Sequence, residues 1–442
     1  MDLSPFAHRR HRPGVGTPGS EASAGPEATP APPPSATPEQ SGGAEPSGAA
    51  GGARPSARAI AVMAMLGFAT AWNAGNIGPV ASELAAEFDT SLAAIGLLSG
   101  TVYFLAAVLG ILVAAQAGER LGLIVALRIS LIATIAGNVL IAITPIAGGF
   151  AAGRVLAALS LAWVPVLAPV WARQVGGIRL IGYFGASFQL GIAGALAVGA
   201  VLSEVGIDYR LGFVITAALA VVALVTLHGL HAVSAPLKKS AGFLRAAAGS
   251  LRVYRLALLF ISIYGVPMVL GAWLVAYLTA EGGVAIGVAG VLAFLLFATS
   301  AGMRVAGGRF QTCGVPHPVL AGTLGLAALG MFLLAIEQTF ALALPATLAL
   351  GVGVAIPYTL MLIEAQKLFP AEPAEPVALL TLIALMPPIL AIPLVGMALD
   401  SGDGELALGA LAVFLVVATL ANLRPTGRPV ANGVGDIARQ PD

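Results

Sequence analysis

The sequence predicts an all-α integral membrane protein in which twelve transmembrane helices form two pseudo-symmetric six-helix bundles. Three observations predict this fold: the composition, the number of apolar spans and the likeness of the two halves. Hydrophobic residues make up 58% of the 442 positions and charged residues only 10%, with a mean hydropathy of +0.93. A water-soluble protein needs more charge than this to cover its surface.

The net charge and the cysteine content exclude several kinds of partner. The formal net charge is +1, so the chain has no basic excess that would favour a nucleic-acid partner, and none is expected. The single Cys313 excludes an intramolecular disulfide and a cysteine-rich metal site. The high hydrophobic content predicts instead that the lipid bilayer is the main partner.

The N-terminal segment 1–57 is predicted to be a disordered tail. It is rich in Pro, Ser, Gly, Ala and Glu, and such a composition cannot bury enough apolar surface to offset the entropy of ordering. The first apolar run begins only at Ala59 and is longer than the core of a cleaved signal peptide, so the tail is not interpreted as one.

Twelve apolar spans, separated by short polar joints, follow the tail. Because lipid offers no partner for backbone polar groups, spans of this length without strand-like alternation are predicted to be helices. The predicted spans are approximately 59–81, 92–115, 124–146, 149–172, 180–203, 211–230, 255–279, 283–303, 317–337, 340–363, 376–399 and 405–423.

Lys and Arg predict the orientation of these spans. With the N-terminus inside the cell, 20 of the 22 basic residues lie in cytoplasmic segments or at inner span ends. The expected organisation is a cytoplasmic tail 1–57, a bundle 58–230, a cytoplasmic central loop 231–254, a second bundle 255–424 and a cytoplasmic tail 425–442. The predicted location is the cell membrane, with both termini cytoplasmic.

The two halves show weak internal similarity. A shift of 192 residues places Pro357 on Pro165, in the tenth and fourth spans, and a shift of 189 places Arg309 on Arg120, in matching inner joints. This indicates a duplicated six-helix unit, the parallel repeat found in many carriers.

Several short stretches in the expected order carry a resemblance to a known family. The joint Glu119 to Gly122 connects the second and third spans, and Asn76 to Pro79 lies in the first external region. Gly153–Arg154 opens the fourth span, and Asp208 to Arg210 precedes the sixth. Together with the twelve spans, these stretches resemble the major facilitator superfamily over most of residues 58–424. The resemblance implies a carrier whose two bundles rock around a central site.

The resemblance also implies a gate at the inner joint. Glu119, Arg120 and Gly122 are expected to contribute to it, together with Arg309 in the matching joint of the second half. The family's joint usually begins with Gly where this chain has Ala115, so the inner contacts are expected to be reduced.

Two further departures bear on the direction and the substrate of transport. The fifth span does not end in the Gly-Pro pair of the family's antiporters, which weakens an exporter assignment. Nitrate carriers of the family place arginines deep in the second and eighth spans. Here the second span has none, and Arg304 lies near the inner end of the eighth, so a nitrate carrier is disfavoured.

Arg154 is the cation that the sequence places inside a span and away from the cytoplasmic face. It lies about five residues from the predicted outer end, or roughly 7.5 Å deep. An arginine inside the bilayer is costly and tends to face a cavity. The alternative is that its side chain extends to the outer headgroups. The match to the family's arginine in the fourth helix favours a substrate-binding role.

Other polar and aromatic residues lie at similar depths and are candidate substrate contacts. Asn73 and Asn76 share one face of the first span, where amides either bond neighbouring helices or line a wet path. For each of the remaining candidates, packing or interfacial anchoring is the alternative to ligand contact. They are Tyr103, Trp163, Gln189, Tyr264, Trp273, Thr299 and Tyr358.

The inventory of reactive residues predicts no enzyme, no metal and no cofactor. The chain has no His-Glu-x-x-His motif, no phosphate-binding Gly-x-x-x-x-Gly-Lys loop and no pair of acids within a span. Only Glu364, near the inner end of the tenth span, offers a carboxylate close to the membrane interior. The sequence therefore does not favour proton coupling through a buried acid. A coupling proton is kept as an alternative partner.

These observations lead to the hypothesis of a secondary active transporter of a small solute, working by alternating access. One cation inside the membrane with no acid favours a small organic or inorganic anion. Export of a drug-like compound in exchange for a proton is the alternative within the same fold. A polytopic membrane enzyme and a non-transporting receptor are the alternatives from other classes.

Overall fold

The computed structural model of the chain describes residues 55–230, 251–307, 317–368 and 374–423. The described residues contain twelve apolar helices and no strand, and three of the helices contain an interruption. The helices are α1 Ala57–Glu87, α2 Leu92–Leu121, α3 Leu123–Ile143, α4 Ala147–Val175, α5 Ile178–Glu204, α6 Arg210–Thr226, α7 Leu251–Ala280, α8 Ile286–Gly307, α9 His317–Ile336, α10 Phe340–Leu368, α11 Ala374–Ser401 and α12 Gly404–Leu423.

The predicted twelve-helix fold is confirmed. Eleven helices are long and apolar enough to cross a membrane, and α6 is a shorter apolar helix of 17 residues. The helices α4 and α10, which occupy the same place in the two halves, are both 29 residues long, and each contains two prolines. The predicted tail up to residue 54, most of the central loop, Arg309 and the tail 425–442 lie outside the described residues.

The main differences from the predicted spans lie at interruptions and helix ends. The first helix continues past its predicted end to Glu87, because the break after Gly75 is followed by a 3-10 turn, Gly78–Val80, and a further α-helical segment. Two other helices contain a π-helical turn, Leu97–Thr101 in α2 and Ile261–Gly265 in α7. Turns of this kind widen the helix and often occur at functional sites.

Both ends of the short helix α6 are tied to α1. We call the face at which α1 begins the near face and the opposite one the far face. At the far face the Arg210 guanidinium lies 2.7 Å from the Glu87 carboxylate. At the near face Arg58 donates to the carbonyl oxygen of His228. Helix α6 and the residues just beyond it therefore cover the same thickness as α1.

The joint before α6 is an ordered ionic turn. Asp208 accepts hydrogen bonds from the backbone N–H of Arg210 at 2.8 Å and from its guanidinium at 3.1 Å. The backbone hydrogen bond, with the guanidinium as a further contribution, holds the pKa of Asp208 below its ordinary value. Asp208 therefore stays ionised, and the turn keeps its charge at physiological pH.

Glycines bring α3 and α4 into close contact beside Arg154. A Cβ built on Gly137 would lie 2.4 Å from the Gly153 carbonyl oxygen, and one built on Gly153 would lie 2.5 Å from the Gly137 carbonyl oxygen. Only residues without a side chain allow the two backbones to approach this closely. The contact fixes the segment of α4 that carries Arg154.

The two bundles meet tightly in the far half through α2 and α11. A Cβ on Gly96 would lie 2.8 Å from Pro393 Cα, and one on Gly396 would lie 2.7 Å from the Leu92 carbonyl oxygen. Deeper along the same pair, the Thr101 hydroxyl donates to the Ile389 carbonyl at 2.6 Å. The prolines and π turn of these helices therefore face one another across the bundle interface.

The other far-half contacts between the bundles also depend on small residues. In α1 and α7, a Cβ on Gly78 would lie 2.7 Å from the Gly271 carbonyl oxygen. In α5 and α8, a Cβ on Gly290 would lie 2.3 Å from the Ala200 Cβ. Three helix pairs thus bring the bundles together toward the far face.

A carboxylate from one bundle caps a helix of the other at the far face. The two Asp400 oxygens each accept a backbone hydrogen bond at 2.9 Å, one from Leu92 and one from Ala93, at the start of α2. The Ser91 hydroxyl accepts from the next N–H, that of Ala94, at 3.2 Å. Because the positive end of the helix dipole lies here, the Asp400 charge stabilises the closed far face.

We expect substitution of Gly137 by alanine to destabilise the protein. The new methyl group overlaps the α4 backbone, so α3 has to move, at a cost of about 1 to 3 kcal/mol. Thermal unfolding of the purified protein in detergent measures the change. The matched control is Gly409→Ala in α12, where a Cβ meets no atom within 4 Å. An equal melting temperature for both variants would contradict the close α3–α4 contact.

We expect Asp400→Asn to loosen the far face. Loss of a charge at a helix N-terminus costs about 1 kcal/mol, which corresponds to about a fivefold larger open population. The measurement is the labelling rate of Thr101→Cys by an impermeant maleimide from the far face, in a Cys313→Ser background. Asp403→Asn is the control, since it removes the same charge three residues away. Equal labelling rates in the two variants would show that Asp400 does not hold the far face closed.

Candidate functional site

Arg154 lies on α4 and is buried inside the N-terminal bundle, with an exposed fraction of 1%. Its Nη1 donates to the Asn73 carbonyl at 3.0 Å, and its Nη2 donates to the Ser99 carbonyl at 3.2 Å. The guanidinium carbon lies 3.9 Å from the centre of the Tyr103 ring. These inward contacts argue against a side chain that extends to the headgroups. Arg154 also lies deeper than predicted, seven residues or about 10 Å from the start of α4.

The two asparagines of α1 complete this arrangement. Asn73 donates to the Tyr103 hydroxyl at 3.4 Å and to the Ala157 carbonyl at 3.3 Å. Asn76 donates to the Thr216 hydroxyl at 3.1 Å, and its oxygen lies 3.5 Å from Arg154 Nη1. The two amides therefore connect α1 to α2, α4 and α6. We name Arg154, Tyr103, Asn73, Asn76 and Ser99 the α4 cluster.

Arg304, near the inner end of α8, is buried in the same manner, with an exposed fraction of 4%. Its Nη1 donates to the Gly185 carbonyl at 3.4 Å, and its Nη2 donates to the Ile263 carbonyl at 3.3 Å. The guanidinium carbon lies 3.9 Å from the centre of the Tyr358 ring. The sequence placed Arg304 at the inner end of its span, and the structure shows that its side chain is nevertheless buried there, as a second buried guanidinium beside that of Arg154.

A further polar pair lies one turn away from Arg304. Gln189 of α5 donates to the Ser300 hydroxyl of α8 at 2.8 Å, and both side chains are buried. Tyr264 of α7 is buried as well, and its ring lies 5.6 Å from the Phe188 ring. We name Arg304, Tyr358, Tyr264, Gln189, Ser300 and Gly185 the α8 cluster. Thr299, which was predicted instead of Ser300, lies beside Gly351 of α10.

The two arginines are surrounded by the same local arrangement of groups. In each, the guanidinium lies over a tyrosine ring and donates to a carbonyl of a π-helical turn, Ser99 in α2 or Ile263 in α7. In each, the arginine Nε is buried and has no hydrogen-bond partner among the described residues. Neither guanidinium forms an ion pair with a carboxylate in the described ranges, where ion pairs are formed by Arg210 and Arg252.

The clusters differ in which bundle their contacts belong to. All hydrogen bonds of Arg154 are to α1 and α2, within its own bundle. Arg304 instead donates to Gly185 of α5 and to Ile263 of α7, one residue from each bundle. The α8 cluster therefore lies across the bundle interface, whereas the α4 cluster is internal to one bundle.

The remaining predicted contacts have packing roles in this conformation. Trp163 donates to the Gly110 carbonyl at 3.1 Å, which joins α4 to α2. Trp273 donates to the Ile392 carbonyl at 2.8 Å, which joins α7 to α11. Both indole N–H groups thus have a backbone partner in a neighbouring helix.

The predicted gate residues lie at the near end of α2. Glu119 and Arg120 are exposed, and Gly122 has a φ of +87°, a conformation that favours glycine and lets α3 start directly after α2. Arg309 lies outside the described residues. Glu364 of α10 forms an ion pair with Arg252 of α7. No three His, Cys, Asp or Glu side chains in the described ranges come together as a possible metal site.

Sequence reasoning placed Arg304 only by its distance along the helix. Three residues separate it from the end of α8, so it was counted among the near-face cations. The signal that could have found it is the spacing of Ser300 and Arg304, four apart and therefore on one helix face. A second signal is Tyr358, at a matching depth on α10.

Comparisons with known proteins agree with this architecture. The profile described as Major Facilitator Superfamily matches residues 63–378. A comparison with curated protein sequences gives no match. Among solved structures, a D-xylose-proton symporter is similar with a TM-score of 0.69 and 14% identity, covering 83% of this chain and 96% of that one.

Two further solved structures show the same fold. A bacterial homologue of the human lysosomal transporter Spinster, described as inward-facing and unoccupied, has a TM-score of 0.64 and 18% identity, with 83% of this chain and 95% of that one covered. The xylose transporter XylE from E. coli, described as partially occluded and inward open, has a TM-score of 0.65 and 13% identity, covering 82% and 96%. The profile match extends over more than half of the sequence and includes both arginine clusters, so the chain belongs to the Major Facilitator Superfamily, a family of transporters rather than enzymes.

Proposed function

We propose that the protein is a secondary carrier that moves a small anion across the membrane by alternating access. The observation that carries this proposal is the pair of buried guanidinium groups, Arg154 and Arg304, without an acidic partner in the described residues. Carbonyl oxygens and ring faces satisfy part of each cation, but they supply no full negative charge. An anion is the ligand that this environment favours most.

The strength of this preference follows from the dielectric surroundings. A buried charge without a counter-ion is costly, and the cost falls when an opposite charge comes within a few ångströms. A cationic solute would add a second positive charge beside the first and would be repelled. We infer that the solute is a small organic or inorganic anion, of the size of cyanate or a short carboxylate.

Alternating access is supported by the asymmetry between the two faces. The far half is closed by close-packed glycines and by Asp400, which caps α2. Two of the similar solved proteins are described as inward-facing or inward open. We infer that the far face is extracellular and the near face cytoplasmic, in line with the distribution of 20 of the 22 basic residues.

The same distribution of charges supports an organisation of the whole chain. We infer bundles 58–230 and 255–424 joined by a cytoplasmic loop 231–254, with cytoplasmic tails 1–57 and 425–442. Glu119, Arg120, Gly122 and Arg309 are proposed to close the near face in the opposite conformation. Glu119, Arg120 and Gly122 lie at the near end of α2, where Glu119 and Arg120 are exposed, which suits a gate that is open here.

The driving force in this proposal is the gradient of the solute or of protons. One similar solved protein is described as a proton symporter. A carboxylate at the near end of α10, Glu364, is paired with Arg252, so a proton that reaches this pair weakens the bond between α7 and α10. Coupling to a proton is therefore included in the test.

We expect purified protein in liposomes to take up a small anion. The measurement is uptake of [14C]cyanate and [14C]formate, with and without an inward proton gradient, compared with [14C]xylose and a labelled lipophilic cation. Uptake of an anion that saturates, and that exceeds uptake by empty liposomes severalfold, is the expected result. A proton gradient that raises the initial rate of anion uptake above the rate that the same gradient gives in empty liposomes identifies a proton symporter.

The alternatives make opposite predictions in the same assay. Movement of the lipophilic cation with no anion uptake would support a drug exporter and overturn the anion proposal. Binding of an anion, detected as a rise in melting temperature, without any uptake would support a receptor. The double variant Arg154→Gln, Arg304→Gln is the negative control for charge, since it keeps both side chains polar.

A further inference from the structure

The two arginine clusters differ in how fully their hydrogen bonds are made. Arg154 donates to two carbonyls at 3.0 and 3.2 Å, within the usual range for N–H···O bonds, and lies 3.5 Å from the oxygen of Asn76. The two bonds of Arg304, at 3.4 and 3.3 Å, are longer than that range. Arg154 thus has three polar contacts, all within its own bundle, while Arg304 has two, one to each bundle.

The α8 cluster also contains free donors next to the cation. The Tyr264 hydroxyl is buried and has no hydrogen-bond partner in the described part of the chain, and neither does Arg304 Nε. Tyr264 directly follows Ile263, whose carbonyl accepts from Arg304. The Ser300 hydroxyl lies one helical turn before Arg304, so three donors belong to one small region.

The polar groups of this region suit one kind of ligand. Arg304 Nε, the Tyr264 hydroxyl and the Ser300 hydroxyl can all donate, and among the described residues no carboxylate pairs with Arg304. One positive charge with neutral donors matches a monovalent anion better than a divalent one. Gly185 and the Tyr358 ring pack closely here, since a Cβ on Gly185 would lie 3.1 Å from the ring, so a small anion suits this region better than a large one.

We propose that the α8 cluster is the anion-binding site, with Arg304 and the Tyr264 hydroxyl as the binding groups, and that the α4 cluster is a rigid support that does not contact the solute. This inference rests on the proposed anion transport and assigns it to one of the two arginines. The bound anion takes up the donors that are free here. Arg304 bridges the bundles through Gly185, so its bond to α5, like the bond between Gln189 and Ser300, changes when the bundles rock.

The test compares two matched Tyr→Phe substitutions, each of which removes one hydroxyl and keeps the ring. Tyr264→Phe removes a hydroxyl that has no partner, so the fold should be unaffected. Tyr103→Phe removes a hydroxyl that accepts from Asn73 in the α4 cluster. For both variants, KM and kcat are measured for uptake of labelled cyanate and labelled formate into liposomes. The melting temperature of each variant is measured with and without about 10 mM of either anion, because a ligand that binds the folded protein raises it.

We expect Tyr264→Phe to raise KM about tenfold and to reduce the anion-induced shift of the melting temperature, because a hydrogen bond to a charged ligand is lost. Its melting temperature without anion should equal that of the wild type. Tyr103→Phe should leave KM within about twofold and lower the melting temperature. Arg304→Lys should raise KM further, since the lysine lacks the fork of donors, while its fold is checked by the same melting curve.

Each other outcome decides against the assignment. An unchanged KM for Tyr264→Phe, or an equal rise for Tyr103→Phe, overturns the α8 site while leaving anion transport itself intact. A wild-type protein that moves neither anion overturns the proposed function and this inference with it. A lower melting temperature for Tyr264→Phe without anion shows that its hydroxyl is structural and also overturns the assignment.

Discussion

The structure buries two guanidinium groups among apolar helices, and no carboxylate in the described part of the chain pairs with either of them. An arginine in this position is costly, and a membrane protein keeps it only if backbone or side-chain groups replace water. Here the replacement comes from π-helical turns, which open the ladder of hydrogen bonds in α2 and α7 near Ser99 and Ile263. The tyrosine faces add an attraction that does not neutralise the charge. The helices are thus distorted where the cations need acceptors.

This arrangement separates a cation bonded within one bundle from a cation bonded to both. Arg154 bonds only to α1 and α2, so in the proposed alternating access its surroundings would move as one body. Arg304 bonds to both bundles, so in the same proposal its surroundings would change with the conformation. A solute that binds only one state better shifts the equilibrium toward that state. A cation at the bundle interface is therefore better placed than an internal one to couple binding to movement.

The sequence predicted the helices well because apolar length and loop charge are strong local signals. It predicted less about the site, because depth along a helix does not reveal which face is buried. Arg304 was counted with the near-face cations because it lies near the inner end of its span, and that position gave no sign that its side chain is buried. Asp400 caps α2 through 2.9 Å bonds to residues that lie about 308 positions earlier in the sequence, a contact that no local pattern indicates. The π turns have no sequence signature that reasoning from propensity could use.

The Asp400 cap on α2 and the α8 cluster lie at opposite ends of the interface between the two bundles. Asp400 stabilises the closed far face by an interaction of moderate strength, since a charge at a helix N-terminus contributes about 1 kcal/mol. A latch of that strength can be reversed by a ligand, because a solute at a hundred times its dissociation constant contributes about 2.7 kcal/mol. A buried ion pair between the bundles would cost several kcal/mol to break. Capping by one carboxylate and packing by glycines therefore give an interface that closes without becoming locked, which is the balance that a carrier needs.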